Sequence, residues 1–194
     1  MSVLAPVLSA FVSVGFAGPA GKAAPPTSYT LDPAHSQIGF DLRSSLTDFH
    51  GAASQMSGAL SLVGKEGVTG RLEVPVAGLS TGLGVRDARL QGYALDNTRH
   101  PTITFDVSGA SDLALLAAKS GSGAVDLTGT LTVRGQSRPV TVRTTATWKD
   151  GALALKGAVP LRWSDFGVPD PSPAFTTLFP TVDVHFDVQL RPAS

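Results

Sequence analysis

The chain contains no cysteine. Disulfides, thiolate nucleophiles, cysteine-ligated metals and lipidation at an N-terminal cysteine are therefore excluded. Charge is scarce too: Asp, Glu, Lys and Arg make up only 15% of residues, and 15 basic residues balance 15 acidic ones. No charge run or basic patch breaks this balance, so nothing electrostatic favours nucleic acid or an anionic membrane surface. Long apolar runs are missing beyond the N-terminus. The one found there, Ser2 to Gly18, is short for a membrane span and interrupted by Pro6. No stable membrane insertion is expected.

That N-terminal run has the character of the apolar part of a secretory signal. It carries Val3, Leu4, Val7, Leu8, Phe11, Val12, Val14 and Phe16, then Ala-, Gly- and Pro-rich sequence to Pro26. Small residues at Ala17, Ala20 and Ala24 suit cleavage, and export to the periplasm or medium is the expectation. No Lys or Arg precedes the run, a departure from the usual signal. The other reading is a disordered low-complexity arm. Residues 1–26 are set apart either way, and 27–194 form one domain of a size common for all-β barrels.

What this domain does have is alternation. Gln37 to Arg43, Thr102 to Val107 and Thr181 to Arg191 switch between apolar and polar residues, and the apolar register is almost free of charge. Successive strand side chains point to opposite faces, so each run has one apolar and one wet face. Further strands are read at Met56–Leu62, Val68–Val76, Val125–Val133, Val140–Trp148 and from Leu153, with Pro75 marking an edge or a bulge. Asp150-Gly151 is a hairpin signal. Val85, Arg89/Leu90 and Tyr93/Ala94 recur at helical spacing and predict one short helix before Pro101. Ala117 to Gly123 reads as a small flexible loop. Pro169, Pro171 and Pro173 exclude regular structure from Val168 to Phe179. The fold class is all-β: an extended eight-stranded antiparallel barrel with one short helix, or a related sandwich.

A small barrel is filled by side chains or holds one small ligand. Gly58, Gly70 and Gly129 fall on the apolar register, where a packed core would want bulk, although barrels also bend at inward glycines. The inward set is mostly Val and Leu. Its candidate lining residues are Ile38, Phe40, Leu42, Met56, Leu60, Leu72, Val74, Ile103, Phe105, Leu127, Leu131, Val142, Phe186 and Val188. With almost no polar anchor among them, a guest would be long and apolar.

Four motifs in order make the chain resemble the YceI-like family: Tyr29-Thr30-Leu31-Asp32-Pro33-Ala34-His35-Ser36; Arg86-Asp87-Ala88-Arg89-Leu90 with Tyr93-Ala94-Leu95-Asp96 and Pro101 to Phe105; Leu127 to Gly135 with Arg138-Pro139-Val140; and Trp163-Ser164-Asp165-Phe166-Gly167-Val168. The resemblance implies a lipocalin-like barrel enclosing a polyisoprenoid, an isoprenoid quinone or a prenyl phosphate, often in the periplasm, with no catalytic activity defining the family. Arg89 stands where the family often has His, and the prolines from Pro169 to Pro173 are also a departure. Both bear on the head group preferred.

Head-group candidates are His35, Arg86 and Arg89. The alternatives are turn chemistry for His35 and a surface ion pair with Asp87 for the arginines. Two arginines would suit a pyrophosphate. Asp165 reads as a turn cap, and Trp148 as a packing residue. His50, His100 and His185 lack metal-ligand spacing, so no metal site and no cofactor beyond a bound lipid is expected. The reading is a lipid-sequestering or carrier protein. Its alternatives are an enzyme acting on such a lipid, or a filled barrel working through a protein partner. A homodimer is compatible with the sequence.

Overall fold

The computed structural model describes residues 27–64, 67–172 and 175–193. The segment read above as a signal or arm, 1–26, lies outside them.

The strands are β1 (Thr27–Leu31), β2 (Gln37–Ser44), β3 (Phe49–Ala53), β4 (Ser57–Val63), β5 (Gly67–Pro75), β6 (Leu79–Ser80), β7 (Thr102–Ala110), β8 (Ser122–Val133), β9 (Gln136–Lys149), β10 (Ala152–Arg162) and β11 (Leu178–Pro192). In one circuit β1, β4, β5, β7, β8, β9, β10 and β11 pair in that order, and β11 pairs back onto β1. The three other strands extend this circuit. β2 pairs with β11 and β3, and β3 pairs with β6, which repeats the neighbours of β1, β4 and β5 further along the axis. The first three strands are thus each broken in two, at the 3-10 turn Pro33–His35, at Ser54–Met56 and at the 3-10 turn Val76–Gly78. The result is a closed eight-stranded antiparallel barrel, as the alternation predicts. Pro75 ends β5 opposite Thr102.

Helix α1 (Gly84–Ala88) runs into a π-helical turn, Arg89–Ala94, where the sequence predicts a short helix. A second helix, α2 (Leu113–Ala118), precedes the expected loop at Ala117–Gly123 and shortens it to Lys119–Gly121 before β8. The Asp112 carboxylate accepts from the Leu115 backbone N–H at 2.8 Å and starts it. Lys119 in left-handed conformation stops it. α2 plugs one end of the barrel. Its Leu116 is fully buried, and the Trp148 indole N–H donates to the Leu115 carbonyl at 3.2 Å. Tyr29 meets Trp148 edge-on at 5.4 Å between ring centres. The opposite end carries α1, the β2–β3 hairpin and the turn after β10.

The inward glycines do not open space. Phe40 lies over Gly51 on the neighbouring strand, and Phe186 over Gly157. Leu72 and Leu60 likewise cover Gly58 and Gly70, and Phe105 approaches Gly129. A Cβ at Gly157 would collide with the Arg143 carbonyl and the Phe186 ring. These positions follow the bending, ring-covered role of sheet glycines, not the cavity-making one.

Asp32 fastens the break between β1 and β2 to β11. Its carboxylate accepts from Arg191 Nε at 2.6 Å and the Ala34 N–H at 3.1 Å, and meets His35 Nδ1 at 2.9 Å. The Ser36 hydroxyl donates to the Asp32 carbonyl at 2.7 Å and accepts from the Gln189 N–H at 3.0 Å. Partial burial disfavours the Asp32 carboxylate. The hydrogen bonds from Arg191 and His35, with the nearby His35 charge, outweigh that and hold its pKa below the ordinary 3.8. The ionised form therefore stabilises the fold above pH 3.8, and this contribution is lost as the pH falls through the depressed folded value. Asp32→Asn should lower the thermal midpoint at neutral pH. The gap to wild type should close in a melting series taken downward from pH 3.8.

Candidate functional site: an apolar cavity

Inside the barrel the side chains leave a cavity of about 290 Å³. Ile38, Phe40, Leu42, Leu60, Leu72, Val74, Ile103, Phe105, Leu127, Leu131, Val142, Phe186 and Val188 stand on its wall. Met56 does not. It is buried and keeps the inward register of Gly58, Leu60 and Leu62, but it precedes β4 in the break after β3 and lies off the cavity. Sequence reasoning overlooked Val182 and Val184, which continue the register of Phe186, and Val159 and Leu161 on β10. Alternation would have found all four. It would not have found the mouth, where Leu90, Ala94 and Leu95 face Trp163, Phe166, Val168 and Pro171. Those residues come from turns, and only tertiary packing brings them together.

The turn Trp163–Phe166 is held at the mouth by local geometry. Gly167 ends it in the left-handed region at φ 65°, and its carbonyl accepts from Arg134 Nη1 at 2.8 Å. Arg134 Nε is buried without a hydrogen-bond partner among the described residues. The Trp163 indole N–H donates to the Phe179 carbonyl at 3.0 Å. Asp165 lies in the first turn of this 3-10 segment, exposed.

The three head-group candidates are not gathered at the cavity. His35 sits in the outer turn with Asp32, toward the plugged end. Arg86 donates to the Thr81 hydroxyl at 2.7 Å and the Thr81 carbonyl at 2.8 Å, and lies over the Phe49 ring at 4.7 Å. Asp87 takes hydrogen bonds from Thr81 and Ser80, which hold its pKa below the ordinary range. Arg86 and Asp87 therefore meet through Thr81 instead of forming a simple surface pair. Arg89 donates to the Pro171 carbonyl at 2.9 Å and the Ser172 carbonyl at 3.3 Å. Arg89 and Pro171, two departures from the family pattern, are thus one device, a strap across the mouth.

The structure does bring together two histidines far apart in sequence. His50 Nδ1 lies 2.6 Å from Asp41 and His185 Nδ1 lies 3.5 Å from it, on the outer face of β3, β2 and β11. Among the described residues no group of three or more His, Cys, Asp or Glu is arranged to hold a metal. The outer face also carries the pairs Arg71–Glu73, Arg71–Asp106 and Lys156–Asp187. That charged surface is unlike the apolar outer band of a membrane-spanning barrel. No helix among the described residues is long and apolar enough to cross a membrane.

The model of the YceI-like domain matches residues 29–190. The chain belongs to the YceI-like family. Its barrel is similar to that of BcnA from Burkholderia cenocepacia, with 20% identity over 82% of this chain and 98% of that one, at a TM-score of 0.70. It is also similar to a polyisoprenoid binding domain from Saccharophagus degradans implicated in plant cell wall breakdown, with 18% identity, 86% and 99% coverage and a TM-score of 0.73. The Campylobacter jejuni YceI protein gives 16% identity, 75% and 86% coverage and a TM-score of 0.55. At these identities the likeness is one of fold. No curated protein matches by sequence.

In this YceI-like barrel the Arg89 strap is exposed and rests on two carbonyls, so its net worth to the fold is small, about 1 kcal/mol. Arg89→Ala should leave the melting temperature nearly unchanged. Amide hydrogen exchange should quicken in the π-helical turn and at 167–172, while β8 to β11 stay protected.

Proposed function

We propose that this chain is a non-enzymatic carrier that sequesters a polyisoprenoid-type lipid inside its barrel. The observation that carries this reading is the chemistry of the cavity wall. Among the described residues it is made mainly of Val, Leu, Ile and Phe, with Trp163, Pro171 and a few Ala and Gly, and the one titratable residue touching it, Arg71, spends its guanidinium on Glu73 and Asp106 outside. Such a wall offers no acid, base or nucleophile for a reaction and no anchor for a polar guest. It does offer burial, at about 25 cal/mol per Å² before the cost of ordering the guest.

Shape supports a linear guest. On β11 the wall extends from Val182 to Leu190. Eight steps at about 3.3 Å, tilted about 40° to the axis, give a cavity roughly 20 Å long. A narrow tube of that length suits a prenyl chain better than a compact ring system. The similarity to a polyisoprenoid binding domain supports the lipid class. The apolar run Ser2–Gly18 and the small residues after it support an exported protein, periplasmic or secreted.

Mass spectrometry of the organic extract tests this, using protein purified from a bacterial host without refolding. A prenyl lipid at close to one per chain is the expected result. An extract that stays empty after incubation with isoprenoid quinones would contradict it.

A further inference from the structure

The large exposed apolar side chains among the described residues are Leu46, Leu83, Val85, Tyr93, Phe175 and Phe179. All six sit at the mouth end, with Phe179 at the very start of β11 and the others in the segments between strands, and none lies at the end plugged by α2. They belong to three segments that bind one another. Arg86 of α1 covers Phe49 of the β2–β3 hairpin. Arg89 of the π-helical turn holds Pro171 and Ser172. Ser45 of the hairpin donates its N–H to the Thr177 carbonyl at 3.0 Å and meets the Thr176 hydroxyl at 3.1 Å. The apolar residues therefore form one rim around the cavity mouth. Val85 and Phe175 project furthest, at 82% and 80% exposed.

We propose that this rim docks the mouth onto a lipid bilayer, so that the guest passes between membrane and cavity without crossing water. This rests on the carrier reading above. The occupant follows from continuity: the rim's apolar surface joins the apolar cavity wall at Leu90 and Pro171, and a prenyl guest resides in membranes. Most of the rim's charges are already engaged within it, Arg162 and Asp165 beside the turn after β10 being exposed. Asp87 is held by Ser80 and Thr81, Arg99 by Asp96, Asp170 by Ser172, and the Arg86 and Arg89 guanidiniums by carbonyls. Contact of the apolar rim with an interface therefore strands few of the charges that flank it, while Arg162 and Asp165 can stay in water. A shallow patch of Leu, Val, Tyr and Phe flanked by arginine stems is the chemistry of interfacial, non-spanning binding. The charged barrel wall behind it limits insertion to the rim.

The absence of cysteine allows clean labelling of the full chain. Val85→Cys and Phe175→Cys report on the rim, and Lys119→Cys on the plugged end. Each carries a polarity-sensitive fluorophore and is mixed with vesicles of phosphatidylethanolamine and phosphatidylglycerol containing a nitroxide-labelled lipid. The label should shift to the blue and be quenched at 85 and 175 but not at 119. No response at the rim, or an equal response at 119, would overturn the proposal. Equal responses would mean attachment through 1–26, since Thr27 begins β1 at the plugged end. As a second readout, the double variant Val85→Ser/Phe175→Ser should take up geranylgeraniol from vesicles at least tenfold more slowly than wild type, with uptake from ethanol unchanged. Equal rates from vesicles would also overturn it. If neither protein takes up geranylgeraniol from either source, the carrier reading fails, and the label response still decides the docking.

Discussion

Closing the sheet on itself is the constraint on which the rest of the structure depends. Once β11 pairs with β1 and β2, each strand residue points either into the barrel or out to water, with no third choice. The interior must then be apolar, because no water or partner strand remains to satisfy a polar group there. Thr144 is the instructive case. Its hydroxyl is buried in the inward register and donates to the Val125 carbonyl. A closed ring of eight strands is also wide enough that Val and Leu do not fill it, so the cavity follows from strand number and side-chain size together.

The barrel's two ends resolve this constraint differently. At one, α2, Tyr29 and Trp148 pack the opening shut. At the other, the strands run past the filled core into α1, the π-helical turn and the turn after β10, and cavity wall becomes rim. Among the described residues this asymmetry leaves one end open, and so one way into the cavity. The broken strands serve the same end. The node at Asp32 lets the chain kink between β1 and β2 while β11 remains paired on both sides of the break, and the interior stays sealed along its length.

Strands and their facing were legible in the sequence because period-2 alternation is a local signal. Phe40, Phe105 and Phe186 could be placed inward from their immediate neighbours. Met56 does face inward with Leu60 and Leu62, but it sits in the break before β4, off the cavity wall, and no residue around it announces that break. The glycines left two readings open for the opposite reason: whether Gly129 opens space or seats Phe105 depends on the neighbouring strand. α2 had a readable start in Ser111-Asp112 before an apolar run, but six residues are too few to show a helical period. The mouth was least legible of all. Arg89 and Pro171 are 82 residues apart, and the sequence shows them as two separate oddities. In the fold they are one contact.

On the carrier proposal, a tube of fixed length holds a single prenyl chain through apolar burial. The decisive measurement is affinity across prenols of increasing length. Each added isoprene unit should tighten binding severalfold while it finds wall to cover, and the gain should stop once the tail exceeds the roughly 20 Å available. Affinity independent of tail length, or rising without limit, would show that the cavity is not where the guest lies.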